Sequence, residues 1–248
     1  MYLQRDNSLP ERMDRFHREI TVWLKLRHPN VLRLFGTIRD SDLHPHIPSM
    51  VCLWIEHGAL SGYLDKNKNL AVSNRLNLVD HVAHGLQYLH AQNVVHGDLS
   101  GSNVLIGADG RAYIADFGLS MLLTVVGGPA FATTRQNKGT VRWMAPELLD
   151  PDESHIALTT RSDVYSFGSI MLQILTGNIP YHRLSRDEQV IVAITRGRRP
   201  DRSDQKAVTN GRWKFIERCW SVDGPRPSSD EIVVFTRREL SESKMAKV

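Results

Sequence analysis

The 248-residue, 28.1 kDa chain is 41% hydrophobic and 23% charged, with 31 Lys+Arg against 27 Asp+Glu and a net charge of +4. This composition supports a real core and excludes a disordered tail, a collagen-like repeat and a small disulfide scaffold. Four excess charges over this length do not mark a nucleic-acid binder. Two cysteines, Cys52 and Cys219, exclude a disulfide framework or a Cys-based zinc cluster and read as buried thiols of a reducing compartment. No basic-then-apolar leader is visible, and no apolar run nears the ~20 residues that span a bilayer. The expectation is a soluble, cytoplasmic chain without membrane contact.

The first predicted element is a helix from Leu9 to Arg27. Ser8 and Glu11 have capping-box spacing, Pro10 sits in the first turn, and Met13, Phe16, Ile20 and Trp23 form one apolar stripe. Pro29 ends it. Strands are predicted over Val31–Ile38 and Met50–Ile55, joined by the loop Asp42–Pro48, whose His44 and His46 have no third metal ligand nearby. A polar, hinge-like stretch with Gly58 and Gly62 follows. Leu70–His90 reads as a long helix with Leu76, Val79, Ala83 and Leu86 on one face, and His81 and His84 are expected to be exposed rather than metal-bound.

Further on, Asp109-Gly110 between Asn103–Gly107 and Arg111–Ala115 is a hairpin signal. With those two residues as the turn, paired positions have numbers summing to 219, so Asn103 and Asp116 are expected to face each other, Cβ atoms about 5 Å apart. A carboxamide and a carboxylate converging there offer two hard oxygens, a set suited to Mg²⁺ shared with a phosphate. Asp98, five residues before Asn103, is placed to accept a proton at the same site. Val164–Thr176 is apolar nearly all round, which demands burial at the centre of a domain. Amphipathic helices follow over Ala207–Trp220 and Ser229–Leu240. Within Arg183–Lys214 the near-adjacent Arg196, Arg198 and Arg199 read as a solvated face or as a docking surface for an acidic partner.

His96-Gly97-Asp98 with Asn103, followed by Asp116-Phe117-Gly118, resembles the catalytic loop and the metal-binding motif of a protein kinase. Gly139-Thr140-Val141-Arg142-Trp143-Met144-Ala145-Pro146-Glu147 is similar to the end of an activation segment, and Ser162–Gly168 to the start of that family's central helix. The resemblance implies an α+β, protein-kinase-like fold. Residues 1–56 would be a remnant N-lobe with hinge (one helix, two strands), and residues 57–248 a complete, mainly helical C-lobe. It implies ATP and Mg²⁺ as cofactors and a protein substrate or binding partner, with no nucleic acid and no membrane. Asp98 would be the base. Asn103 and Asp116 would bind Mg²⁺, while Leu53 and Ile55 would meet adenine through backbone groups and Leu105 would lie beneath it. Glu19 would be the helix glutamate, Cys52 the gatekeeper, and Trp23, Leu34, His96 and Phe117 a stack anchored on Asp163. Arg226 would pair with Glu147. Thr140 resembles the Ser/Thr-specific pattern of the tyrosine-kinase-like branch, with Tyr as the alternative acceptor.

Three departures stand beside the resemblance. No glycine precedes Gly36 and Lys25 follows Glu19, so the expected glycine-rich loop and strand lysine are not matched. Ser100 stands where a phosphate-contacting lysine is usual, and Gly97 where an arginine is usual. Val51, Leu53 and the stripe of the first helix are accordingly expected to be exposed. The residues leave three readings open: a kinase of impaired activity, a pseudokinase acting as an interaction scaffold, or a truncated gene product.

Overall fold

A computed structural model describes residues 20–38, 49–117, 139–149 and 158–245. Residues 20–25 are helical (α1); the predicted start of that helix, with Glu19, lies outside the described residues, as does the loop carrying His44 and His46. Ile20 and Trp23 are buried, contrary to the exposure expected of their stripe. Trp23 packs on Phe117 with centroids 4.7 Å apart, and its indole N–H donates to the Leu32 carbonyl at 2.9 Å. Val51 and Leu53 are exposed as expected, together with Phe35, Ile38 and Trp54.

Strands β1 (Leu34–Ile38) and β2 (Ser49–Cys52) form an antiparallel pair, with an irregularity between Leu34 and Gly36. Both are shorter than predicted. Val31 bridges to Ile114 rather than to β2, and residues after Cys52 leave the ladder for a turn in which Gly58 N–H donates to Ile55 O at 3.1 Å. The hinge-like stretch is helical in part: α2 (Leu60–Lys66) forms because Leu60 and Leu64, one turn apart, give it a buried stripe. Cys52 is half-buried, whereas Cys219 is fully buried as expected.

Helix α3 (Val72–Ala91) buries the face carrying Leu76, Val79, Ala83 and Leu86. His81 and His84 are half-buried, not exposed. His81 Nδ1 accepts from the Ala112 N–H, and His84 stands between Asp80 and the Arg237 guanidinium. The hairpin β3 (Val104–Ile106) and β4 (Ala112–Ile114) pairs Val104 with Ile114, Leu105 with Tyr113 and Ile106 with Ala112.

The central helix α4 (Thr160–Thr176) starts at a reciprocal Thr159–Ser162 capping box, ends at left-handed Gly177, and is buried from Ser162 to Thr176 on every face. Around it lie α5 (Asp187–Thr195), which the sequence did not suggest, α6 (Asn210–Cys219) and α7 (Ser229–Met245). Helix α6 comes so close that a Cβ added at Gly168 would stand 2.8 Å from the Cys219 Cβ and 3.1 Å from the Trp220 indole nitrogen. Gly168→Ala gains helix propensity but overpacks this contact, so a net loss of about 1–2 kcal/mol is expected. Urea unfolding measures it; a stabilised variant would show that the helices part freely.

Candidate active site

The His96–Asn103 loop is held from below by α4. Asp163, in the first turn of that helix and almost wholly buried, accepts from the main-chain N–H of His96 and of Gly97, each at 2.8 Å. His90 Nε2 meets the same carboxylate at 2.9 Å. The His96 ring bonds Ala115 O through Nε2 at 3.0 Å and accepts the Asp98 N–H through Nδ1 at 3.2 Å, which fixes the neutral tautomer with the proton on Nε2. Complete burial pushes the His96 pKa down, in keeping with that form. Phe117 packs between Trp23 and His96, whose main-chain N–H is held by Asp163, and Leu34 is fully buried.

The hairpin register differs from the expected one by a residue. Paired positions sum to 218, as in Val104 with Ile114, because the connection is a three-residue loop: Gly110 N–H bonds Gly107 O, and Gly110 takes a left-handed φ of 75°. Asn103 O therefore accepts from Ala115 N–H at 2.8 Å, and Asp116 does not lie opposite it. Asp116 follows the ladder with a left-handed φ of 56°, a conformation Asp tolerates better than most residues.

Asp98 and Asn103 are in direct contact: Asn103 Nδ2 donates to the Asp98 main-chain O at 2.7 Å and to its Oδ2 at 3.1 Å. Burial pushes the Asp98 carboxyl up to about 6; donors from Asn103 and Thr140 oppose the shift, and the negative charge of nearby Asp116 adds to it. Asp116 is exposed at the edge of the site, yet the protein around it displaces enough water to raise its pKa too. Thr140 is thus a member of the site that sequence reading used only as a specificity mark. Ser100 Oγ is buried without a hydrogen-bond partner among the described residues. Leu105 and Ile55 are half-buried, and the 55–59 segment docks on β3, where His57 N–H donates to Ile106 O and Ala59 bridges to Leu105. Leu53 stands further out, with its side chain exposed.

A raised carboxyl destabilises the fold when ionised. The folded pKa near 6 lies above the ordinary 3.8, so the stability contributed by protonation is complete below about 4 and lost as pH rises through 6. Asp98→Asn is therefore expected to raise stability at pH 7.5 by roughly 1–2 kcal/mol, and to do little at pH 4. Thermal melts at the two pH values test this; equal shifts would mean that Asp98 titrates normally.

Arg226, buried by Tyr165, forms a two-pronged pair with Glu147 at 2.6 and 2.9 Å, the contact the motifs imply. Its guanidinium holds the Glu147 carboxyl below the usual range against the opposing effect of burial. A central helix buried on all sides, an Asp-anchored loop and this ion pair define a protein kinase domain. The family described as protein tyrosine and serine/threonine kinase matches residues 3–235, and the chain belongs to it. Its relatives lie in the tyrosine-kinase-like branch. It is 30% identical over 234 residues to a Raf homolog serine/threonine-protein kinase of Caenorhabditis elegans, covering 90% of this chain and 28% of that protein. It is 30% identical over 223 residues to the serine/threonine/tyrosine-protein kinase HT1 of Arabidopsis thaliana, covering 88% and 53%. Against the serine/threonine-protein kinase STY17 of Arabidopsis thaliana the figures are 29% over 234 residues, covering 94% and 38%. The chain thus spans between 28% and 53% of the length of these relatives.

Proposed function

We propose that this chain binds Mg²⁺ and ATP at Asp98, Asn103 and Asp116, and transfers the terminal phosphoryl group to a protein Ser or Thr hydroxyl at an attenuated rate. The observation that carries this reading is the Asn103 amide. Its NH₂ is committed to Asp98, so its oxygen is left to act as a ligand, and the Asp116 carboxylate is near enough to Asp98 for its charge to be felt there. Those two hard oxygens fit Mg²⁺, which keeps its remaining positions for phosphate and water. Bound there, the metal would neutralise charge on the phosphates. Asp98, also touched by Thr140, is the group that would accept the substrate hydroxyl proton. Leu53 and Ile55 would meet adenine through backbone groups, with Leu105 beneath it; the docking of residues 55–59 on β3 supports this.

Attenuation rests on Ser100, whereas Gly97 bears on regulation rather than on the chemical step. Ser100 can donate a hydrogen bond, and its buried hydroxyl has no partner among the described residues, but it brings no positive charge to the phosphate. Losing one such contact costs about 10²–10³ in rate. The division into lobes at residues 56 and 57 belongs to the same reading, with the Gly58 turn as the hinge.

The test is titration of the 248-residue chain with a fluorescent ATP analogue, with and without Mg²⁺. Weak, Mg²⁺-dependent binding is expected, falling about tenfold or more in Asp116→Asn and Asn103→Ala. Binding indifferent to the metal and to both substitutions would remove the site, and failure to bind at all would leave the scaffold reading.

A further inference from the structure

The turn after α5 carries Arg196-Gly197-Arg198-Arg199, all exposed. Its backbone is clamped. Gly197, at a left-handed φ of 72°, donates to Ile194 O at 2.9 Å, Arg198 N–H donates to Ala193 O at 2.9 Å, and the Tyr181 hydroxyl donates to Arg198 O at 2.8 Å. A basic residue at a helix C-terminus is favoured by the dipole, which accounts for Arg196. Arg198 and Arg199 lie past the helix and need another account.

Several other arginines face carboxylates, among them Arg142 with Asp187, Arg183 with Asp201, Arg218 with Glu231 and Arg226 with Glu147, while Arg202 and Arg237 meet neutral side chains. Among the described residues no carboxylate stands within ion-pair distance of Arg196, Arg198 or Arg199, and the neighbouring Asp201 is taken by Arg183. Beside Arg198 and Arg199 opens a cavity of about 360 Å³ with Leu149, Ile194 and Val222 in its wall and, among the described residues, no acidic residue in its lining. That is the low end for a small-molecule site and suits one apolar side chain. Tyr165 and Trp220 also border it, but both are almost wholly buried and offer no open face for a base to stack on. Paired positive charges with no counter-charge among the described residues, beside an apolar hole, are complementary to a peptide, not to a nucleic acid.

We propose that this turn is a docking site for an acidic segment of a protein partner, with its carboxylates on Arg198 and Arg199 and an apolar side chain in the adjoining cavity. Docking here does not depend on phosphoryl transfer, so it stands or falls apart from the function proposed above.

The test uses the whole chain and fluorescence anisotropy of a labelled Asp/Glu peptide with one central Leu. Three comparison ligands accompany it: the same peptide with Asn/Gln for the acids, one with Ser for the Leu, and a single-stranded oligonucleotide of equal charge. The acidic Leu peptide is expected to bind best, and to lose about tenfold in affinity in each altered peptide and in Arg198→Gln/Arg199→Gln. The clamping bonds of the turn are main-chain on the arginine side, so this variant keeps its fold; Arg198→Lys/Arg199→Lys should restore much of the affinity. Arg218→Ala, at an exposed arginine that already faces Glu231, should change little. Equal binding of the amide peptide, unchanged binding by the double Gln variant, or tighter binding of the oligonucleotide would overturn the proposal.

Discussion

Asp163→Ala is expected to destabilise the protein by about 3–5 kcal/mol and to release the His96–Asn103 loop. Both oxygens of this nearly inaccessible carboxylate are in use, on the His96 N–H, the Gly97 N–H and the His90 ring. Truncation removes the acceptor and leaves those donors facing a void. Each buried donor left unsatisfied costs about 1–3 kcal/mol, more when its partner was charged. The loss is concentrated where α4 meets the loop, so it should be seen locally as well as globally. Hydrogen exchange at the His96 and Gly97 amides should accelerate in the variant even under conditions where the rest of the fold persists. Asp163→Asn keeps one acceptor but turns an NH₂ toward a main-chain N–H, and should fall between wild type and Ala. Urea unfolding gives the global term. A cost below about 1 kcal/mol, with amide protection intact, would mean that the loop is held by Ala115 and the stacked rings alone.

What the sequence revealed, and what it hid, follows from the range of the interaction concerned. The run Val164–Thr176, apolar nearly all round, could only be a buried central helix, and it is one, because a helix without a polar face has to be covered on every side. The Arg226–Glu147 pair joins residues far apart in sequence, and only the family motifs could point to it. The hairpin was visible from Asp109-Gly110, but its register was not. Two-residue and three-residue connections can both use Asp-Gly, and the choice rests on which residue takes the left-handed conformation. Here it is Gly110 after a turn from Gly107, which moves the pairing by one position. Asp116 belongs near Asp98 through its own left-handed backbone rather than through the ladder. Helix α5 was hidden in a different way. Its buried Val190, Ala193 and Ile194 are a small apolar set, and much of what fixes it is distant: Asp187 receives the Gly139 N–H and the buried Arg142. Local pattern carries no trace of such partners. The same holds for His81 and His84, which are half-buried because β4 and α7 cover their helix.

Phosphoryl transfer by the purified chain is expected to be slow, to vanish in Asp98→Asn, and to rise with pH through about 6. A base has to be ionised to accept a proton, and burial holds the Asp98 carboxyl near 6, so activity should be low at pH 5 and reach a plateau near pH 7. Removing a positioned base costs about 10²–10⁴ in rate, which for an already attenuated site reaches the background. The fold of Asp98→Asn is not at risk, since the substitution relieves a buried charge and its amide oxygen can still accept from Asn103. A radiolabelled phosphate-transfer assay makes the comparison. Thr140→Val then separates the base from other titrating groups. The Thr140 hydroxyl stabilises the ionised carboxylate, so its loss should move the acidic limb to higher pH while leaving the shape of the profile unchanged. His96 cannot mimic that shift, because its ring nitrogens are already committed to Ala115 O and the Asp98 N–H. A limb that stays at the same pH in Thr140→Val would show that the group controlling transfer is not Asp98.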